Sequence, residues 1–161
     1  LRYVLRDLAV AENAFAYEYT GYLSNIHSVK AYFDANLDML ESEKFYKLFA
    51  PNQKVYTKVK NEEPTYYAAS SDVKVSQFAS GSIVRGKVEH SVVSRNVDLA
   101  EGSSVGHSVL FPRVKVGKGA TVEYAIVDKG VEIAEGVTIR GTENNPVVIK
   151  KGSVVTEDIV R

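Results

Sequence analysis

The chain has no cysteine, so neither a disulfide framework nor thiol chemistry is open to it. That suits a reducing, cytoplasmic setting, which is the expected compartment. No excess of charge exists either: 20 Lys plus Arg face 20 Asp plus Glu, for a formal net charge of zero. A neutral chain has no global field to draw it to nucleic acid or to an anionic membrane. No apolar run reaches the length of a membrane span. The first residues, Leu1–Asp7, lack the continuous apolar core of a signal peptide. Methionine occurs once, at Met39, and the chain does not open on it; a piece of a longer protein is expected. The three histidines show no metal-ligand spacing, so no resident metal or cofactor is expected. No phosphate-binding glycine loop is present: Gly81–Gly86 (GSIVRG) reads as an insertion in a β coil, not as a strand–loop–helix.

What the chain does have is a repeat of about 17 residues in its second half. Val97–Val105 (VDLAEGSSV), Val114–Val122 (VKVGKGATV), Val131–Ile139 (VEIAEGVTI) and Val147–Val155 (VVIKKGSVV) align at spacings of 17, 17 and 16. Apolar columns run through Leu99, Val116, Ile133 and Ile149, and through Val105, Val122, Ile139 and Val155. A glycine column holds Gly102, Gly119, Gly136 and Gly152. A third short strand per coil is expected at Ser91–Val93, Ser108–Leu110 and Ala125–Val127. Such a period describes a stacked, quasi-one-dimensional fold. Three strands per coil make a triangular prism of about five coils, with apolar ladders inside and glycine giving backbone freedom at one corner. A first, irregular coil spans Val73–Val93. The class is mainly β, a parallel β-helix; its left-handed sense is implied by resemblance to hexapeptide-repeat proteins.

The first half reads differently. Residues 1, 4, 5 and 8 are apolar, which predicts a helix to about Val10. The aromatic alternation of Phe15–Thr20 predicts a strand. Val29, Tyr32, Phe33, Asn36, Leu37 and Leu40 fall on one helical face, with Ser28 or Asn25 as N-cap. A short helix is expected over Glu43–Leu48, stopped by Pro51. Residues 51–71 read as a linker with a short strand at Val55–Val59.

Hexapeptide repeats bring acyltransferases to mind, many of which use a histidine at a coil edge. His90 and His107 occupy one column, a coil apart, and are candidates for a general base. No Asp or Glu set to orient either ring is evident in sequence, and the alternative is a pair of solvent-facing corner residues. Arg85, Lys87, Arg95, Arg113, Lys115, Lys118 and Lys129 scatter over the coils as a solvated surface, or contribute, at Arg113, to a site for an anionic effector.

The stretch Gly21–Met39 (GYLSNIHSVKAYFDANLDM) resembles, without a gap, a motif of bacterial ADP-glucose pyrophosphorylases. Tyr46–Thr57 and Ser108–Gly117 resemble the same family's post-helix linker and β-helix. The resemblance implies a small α/β remnant of a nucleotidyltransferase domain over residues 1–50, a linker over 51–71 and a left-handed β-helix over 72–161. The departures carry information. The family's metal-ligand Asp falls on Asn25, its Trp-Arg on Leu23 and Ser24, its Gly-Thr on His27 and Ser28. An amide is a weaker magnesium ligand than a carboxylate, so this resemblance implies a non-catalytic, regulatory subunit. His27 is then part of a degenerate site. The implied partners are the catalytic subunit, which would hold Mg2+, a second copy through the β-helix, and a phosphorylated effector near Arg113; neither nucleic acid nor membrane is implied. A hexapeptide acyltransferase and a related mannose-1-phosphate guanylyltransferase remain the alternatives.

Overall fold

The structure, a computed structural model, describes residues 2–11, 15, 17–49 and 54–161. Three helices come first: α1 spans Arg2–Ala11, α2 Val29–Leu37 and α3 Ser42–Leu48. A single 3-10 turn over Asp38–Leu40 continues α2. Ser28 fixes the start of α2. Its backbone is extended, and its hydroxyl accepts the Ala31 N–H at 3.1 Å, satisfying one of the donors that a helix N-terminus orphans. α3 ends at Phe49; Pro51, the expected stop, lies outside the described residues.

Two expected strands do not form. Phe15 and residues 17–20 have no regular structure, with Ala16 outside the described residues, and residues 54–65, including Val55–Val59, are irregular too. Both stretches alternate in polarity, but alternation only marks a strand that finds an edge to pair with.

The remainder is a parallel β-solenoid with three faces of six, six and five strands. Strand order on every face rises or falls by three, as one winding chain demands. The first face carries Tyr66–Tyr67, Ile83–Val84, Asp98–Leu99, Lys115–Val116, Glu132–Ile133 and Val154–Val155. The solenoid therefore has six coils rather than five, beginning at Tyr66.

Two register readings are corrected. Asp72 pairs with Lys87 and Gln77 with Val92, a spacing of 15, whereas Lys87 pairs with Ser104 at 17. The early coil is thus two residues short at the Arg85–Gly86 corner, and Gly81–Gly86 is not an insertion: within it Ile83–Val84 is a regular strand between its neighbours. The insertion lies later, at residues 141–146. Val147 pairs with Ala125, not with the Val131 position, and Val155 pairs with Ile133. Val147–Ile149 therefore belongs to the third face. Gly152, whose N–H donates to Lys129 O at 3.0 Å, belongs to the corner of Arg113 and Gly130 rather than to that of Gly119 and Gly136. The mis-alignment has a physical cause. The three faces demand the same pattern every six or so residues, so a slip of one face satisfies the same apolar template.

Inside the prism, Leu99, Val116 and Ile133 stack from the first face, Val88, Val105, Val122 and Ile139 from the second, and Val93, Leu110 and Val127 from the third, all buried. The outer side of the third face is apolar as well: Val109 and Ile126 point away from the core yet are buried, because α2 covers them. Phe33 of α2 is 1% exposed between them. Tyr32 stacks on Phe111 at 6.4 Å, and the Gln77 side-chain amide donates to the Met39 carbonyl. The helical segment is therefore seated on the solenoid by an apolar plug that removes a whole aromatic side chain from water.

Candidate functional site

At the corner between the second and third faces one residue per coil is left-handed. Val75, His90, His107 and Tyr124 have φ of 42, 46, 44 and 49°. The site is built on this column. His90 and His107 have ring centroids 5.1 Å apart, and His107 stacks on Tyr124 at 4.8 Å with planes 13° apart. A left-handed L-residue costs about 1–2 kcal/mol, and here a serine follows Val75, His90 and His107, while Ala125 follows Tyr124. The Ser91 hydroxyl donates to Glu89 O at 2.8 Å and the Ser108 hydroxyl to Gly106 O at 2.7 Å, each bridging its histidine. Each hydroxyl oxygen also accepts a backbone N–H from the following coil, that of Ser108 and that of Ala125, both at 3.1 Å. Ser91 and Ser108 are buried, and both are fully satisfied.

The column forms one wall of a cleft of about 490 Å³ whose opposite wall is α2 and the turn after it: Lys30, Asp34, Asp38 and Glu41, with Glu143 from the inserted loop. The sequence placed His90 and His107 in one column correctly. It missed Tyr124, which continues that column at the same spacing of 17, and it missed the carboxylates, which arrive from the distant α2 segment and from the inserted loop. Neither imidazole is hydrogen-bonded to a carboxylate among the described residues, so the geometry stacks the rings rather than orienting either one as a base.

The segment carrying the motif behaves as a cap on α2. Asn25 is exposed; its carbonyl accepts the His27 N–H at 3.1 Å and lies 2.9 Å from His27 Nδ1. Tyr22 Oη donates to Asp38 Oδ2 at 2.9 Å, and burial, then this bond, pushes the Tyr22 phenol up from its ordinary value. Lys44 bridges Asp38 at 2.6 Å and Glu41 at 2.9 Å, and the bond to Asp38 first, then that to Glu41, raises its ammonium well above the usual lysine range. Among the described residues no group of three or more His, Asp or Glu is placed to hold a metal ion, and no helix is long and apolar enough to cross a membrane.

Arg113 sits on a different edge, between the third and first faces. It is exposed, left-handed at φ 62°, and its N–H donates to Arg95 O at 3.0 Å. Arg95, Lys129 and Lys151 occupy the same edge in neighbouring coils, through the backbone bonds that stack it. Arg95 is turned toward Glu62 at 3.7 Å. His90, His107 and Arg113 are thus not parts of one site.

A solenoid of three parallel faces with short strands, left-handed corner residues and inward valine ladders is a hexapeptide-repeat β-helix. Residues 59–160 match the family described as GlmU-like, C-terminal hexapeptide, and the chain belongs to that family, a left-handed β-helix. The chain is 40% identical over 141 residues to the glycogen biosynthesis protein GlgD of Bacillus subtilis, which is 88% of this chain and 41% of that protein. It is 53% identical over 127 residues to GlgD of Geobacillus stearothermophilus, 79% of this chain and 37% of that one. A glucose-1-phosphate adenylyltransferase of Bacillus mycoides is 36% identical over 90 residues, 56% and 24% of the two chains. The chain spans about two-fifths of the length of the GlgD relatives it matches. The resemblance carried by Gly21–Met39 and the β-helix thus stands, and the relatives do not favour the acyltransferase alternative. Among solved structures, perosamine N-acetyltransferase from Caulobacter crescentus superposes with a TM-score of 0.54 at 18% identity, over 60% of this chain and 47% of that one. At that identity the likeness is one of fold alone.

Proposed function

We propose that the chain is the C-terminal part of a non-catalytic, regulatory subunit of ADP-glucose pyrophosphorylase, the enzyme that makes ADP-glucose and pyrophosphate from ATP and glucose-1-phosphate for glycogen synthesis. The observation that carries the reading is the match to GlgD proteins across 88% of the chain, helical motif and solenoid together, with Asn25 where the resemblance calls for a carboxylate. The donor set does not suit a divalent cation: an exposed neutral amide is a poor replacement for an acidic ligand. Magnesium chemistry is therefore assigned to a catalytic partner subunit, and no step is routed through this chain.

In this reading the solenoid serves assembly and effector response in the cytoplasm. Its last coil supports a docking role. Val154 and Val160 are 68% and 64% exposed on the strands that end two of the sheets among the described residues, and exposed apolar side chains suit a docking surface. The exposed Arg113 is assigned to a phosphorylated effector because its guanidinium fork fits phosphate. The test is nucleotidyl transfer by the full-length subunit alone. It should form no ADP-glucose above background, while the catalytic subunit assayed alongside does; turnover by the isolated subunit would overturn the reading.

A further inference from the structure

We propose that the first face of the solenoid docks on the first face of a second copy, with the two solenoids antiparallel. The inference rests on the assembly role given to the solenoid above and supplies its face, its partner and its register. The third face is covered by α2, whereas the outward side chains of the first are exposed or half-buried. Strand pairing puts Tyr66, Ile83, Asp98, Lys115, Glu132 and Val154 in one outward column. Two residues further along the strands, Arg85, Ala100, Gly117 and Ala134 form the next column, and Glu101, Lys118 and Glu135 follow at the rim. The sign of the charge alternates coil by coil: Asp98 and Glu101 are acidic, Lys115 and Lys118 basic, Glu132 and Glu135 acidic again. Ala100, Gly117 and Ala134 floor a trough of about 310 Å³ beside these charges, so a second surface can approach closely.

Alternating stripes dictate how the face can meet its own copy. Parallel solenoids in register set each stripe against one of its own sign; slid by one coil, they match signs but form an open, non-closing array. Antiparallel solenoids related by a two-fold axis between the Asp98 and Lys115 strands do better. Asp98 then faces Lys115 of the second copy, Glu101 faces Lys118, and symmetry repeats both contacts. Within each chain Arg85 is already paired with Asp98, and Lys115 with Glu132 at 2.7 Å. The same axis brings Glu132 of the second copy opposite Ile83 and Arg85, so these pairs close into a ring of alternating charges. At the ends Tyr66 meets Val154, 63% and 68% exposed, apolar against apolar. Moving the axis onto the Lys115 strand sets Asp98 against Glu132, so the pattern selects a register as well as an orientation. Glu101, Lys118 and Glu135 have no ion-pair partner among the described residues, which leaves the rim open to the second copy. The face measures about 24 by 15 Å at ~4.8 Å per strand and ~3.3 Å per residue. That is small for a permanent interface, so a weak dimer is expected.

The test is sedimentation velocity on this chain from about 10 µM to about 1 mM, the range of weak association, with Lys118→Glu and Glu101→Lys as variants. Both residues are exposed and unpaired among the described residues, so neither change should alter the circular dichroism spectrum. The wild type should show a concentration-dependent dimer that weakens as salt rises from about 0.02 to about 0.5 M and screens the charges. Each variant makes both symmetry-related rim contacts repulsive and should weaken the dimer roughly fivefold or more, the scale of exposed charge pairs. An equimolar mixture of the two variants should restore it, because the central rim is then acidic on one copy and basic on the other. A monomer at every concentration, a dimer indifferent to both variants, no recovery on mixing, or an open-ended series of larger assemblies would overturn the proposal. Nucleotidyl transfer does not report on this surface, so failure here leaves the non-catalytic reading standing, and turnover by the subunit would leave the surface standing.

Discussion

The backbone N–H of Ser108 donates to the hydroxyl of Ser91 one coil earlier, at 3.1 Å, while that hydroxyl donates to Glu89 O in its own coil at 2.8 Å. One buried oxygen thus ties two coils and closes the left-handed corner at His90. Ser76 starts this line, accepting the Ser91 N–H at 3.1 Å, and it ends where Ala125 offers no hydroxyl.

Ser108→Ala leaves the Ala125 N–H without its partner, while the Gly106 carbonyl keeps only the Tyr124 N–H at 3.2 Å. The expected loss is about 1–3 kcal/mol, the cost of unsatisfied buried groups, read as a lower urea midpoint. A variant as stable as the wild type would show that the staple is incidental.

Phe33→Ala removes the plug between Val109 and Ile126. Buried Phe→Ala changes cost about 3–5 kcal/mol, and here the loss should fall on the seating of α2 rather than on the solenoid. Amide exchange should accelerate by orders of magnitude in Val29–Leu40 while amides of Val105, Val122 and Ile139 stay protected. Uniform acceleration would mean that helix and solenoid unfold as one unit.

Arg113 pays for its position in backbone strain at φ 62°, in a column that uses Gly130 one coil on. Arg113→Gly should leave stability unchanged or raise it by up to about 1 kcal/mol, since glycine escapes the left-handed penalty but has more chain entropy to lose. In the assembled full-length enzyme, Arg113→Ala and Arg113→Gly should both raise the activator concentration needed for half-maximal response. Unchanged activation would remove Arg113 from the effector site.

The Tyr22–Asp38 bond makes the helical segment sensitive to alkali. The folded-state phenol is raised, by burial and by Asp38, so its stabilising contribution is complete below the ordinary tyrosine value of about 10 and is lost as pH climbs through the raised one. By NMR of the phenolic carbons, Tyr22 should ionise above the ordinary tyrosine value of about 10. Tyr22→Phe should abolish the alkaline loosening of α2; a persistent loosening would place it elsewhere.

Much of this was legible in the chain. The valine ladders and the helix caps follow from local pattern, because each inward position and each Ser28-type cap is set by residues nearby. The coil count and the last register were not, since a repeat with three near-equivalent faces can be aligned one face out of step, as Val147–Val155 was. Strands at Phe15–Thr20 and Val55–Val59 were over-read, because alternation says nothing about the presence of a partner edge. Tyr124 was within reach, one further step along the His90–His107 column. The carboxylate wall was not: Asp34 and Glu41 face the histidines across the cleft only because Phe33 fixes the helix on the third face.

The central claim is that this chain belongs to a subunit that regulates by binding a catalytic one. Co-expression of the full-length subunit with the catalytic adenylyltransferase of the same organism, followed by affinity capture of one and light scattering of the eluate, tests it most directly. A stoichiometric complex of defined mass is the result expected, with an activator response that the catalytic subunit lacks alone. Clean separation of the two proteins, each eluting at its own mass with the catalytic kinetics unaltered, would contradict it.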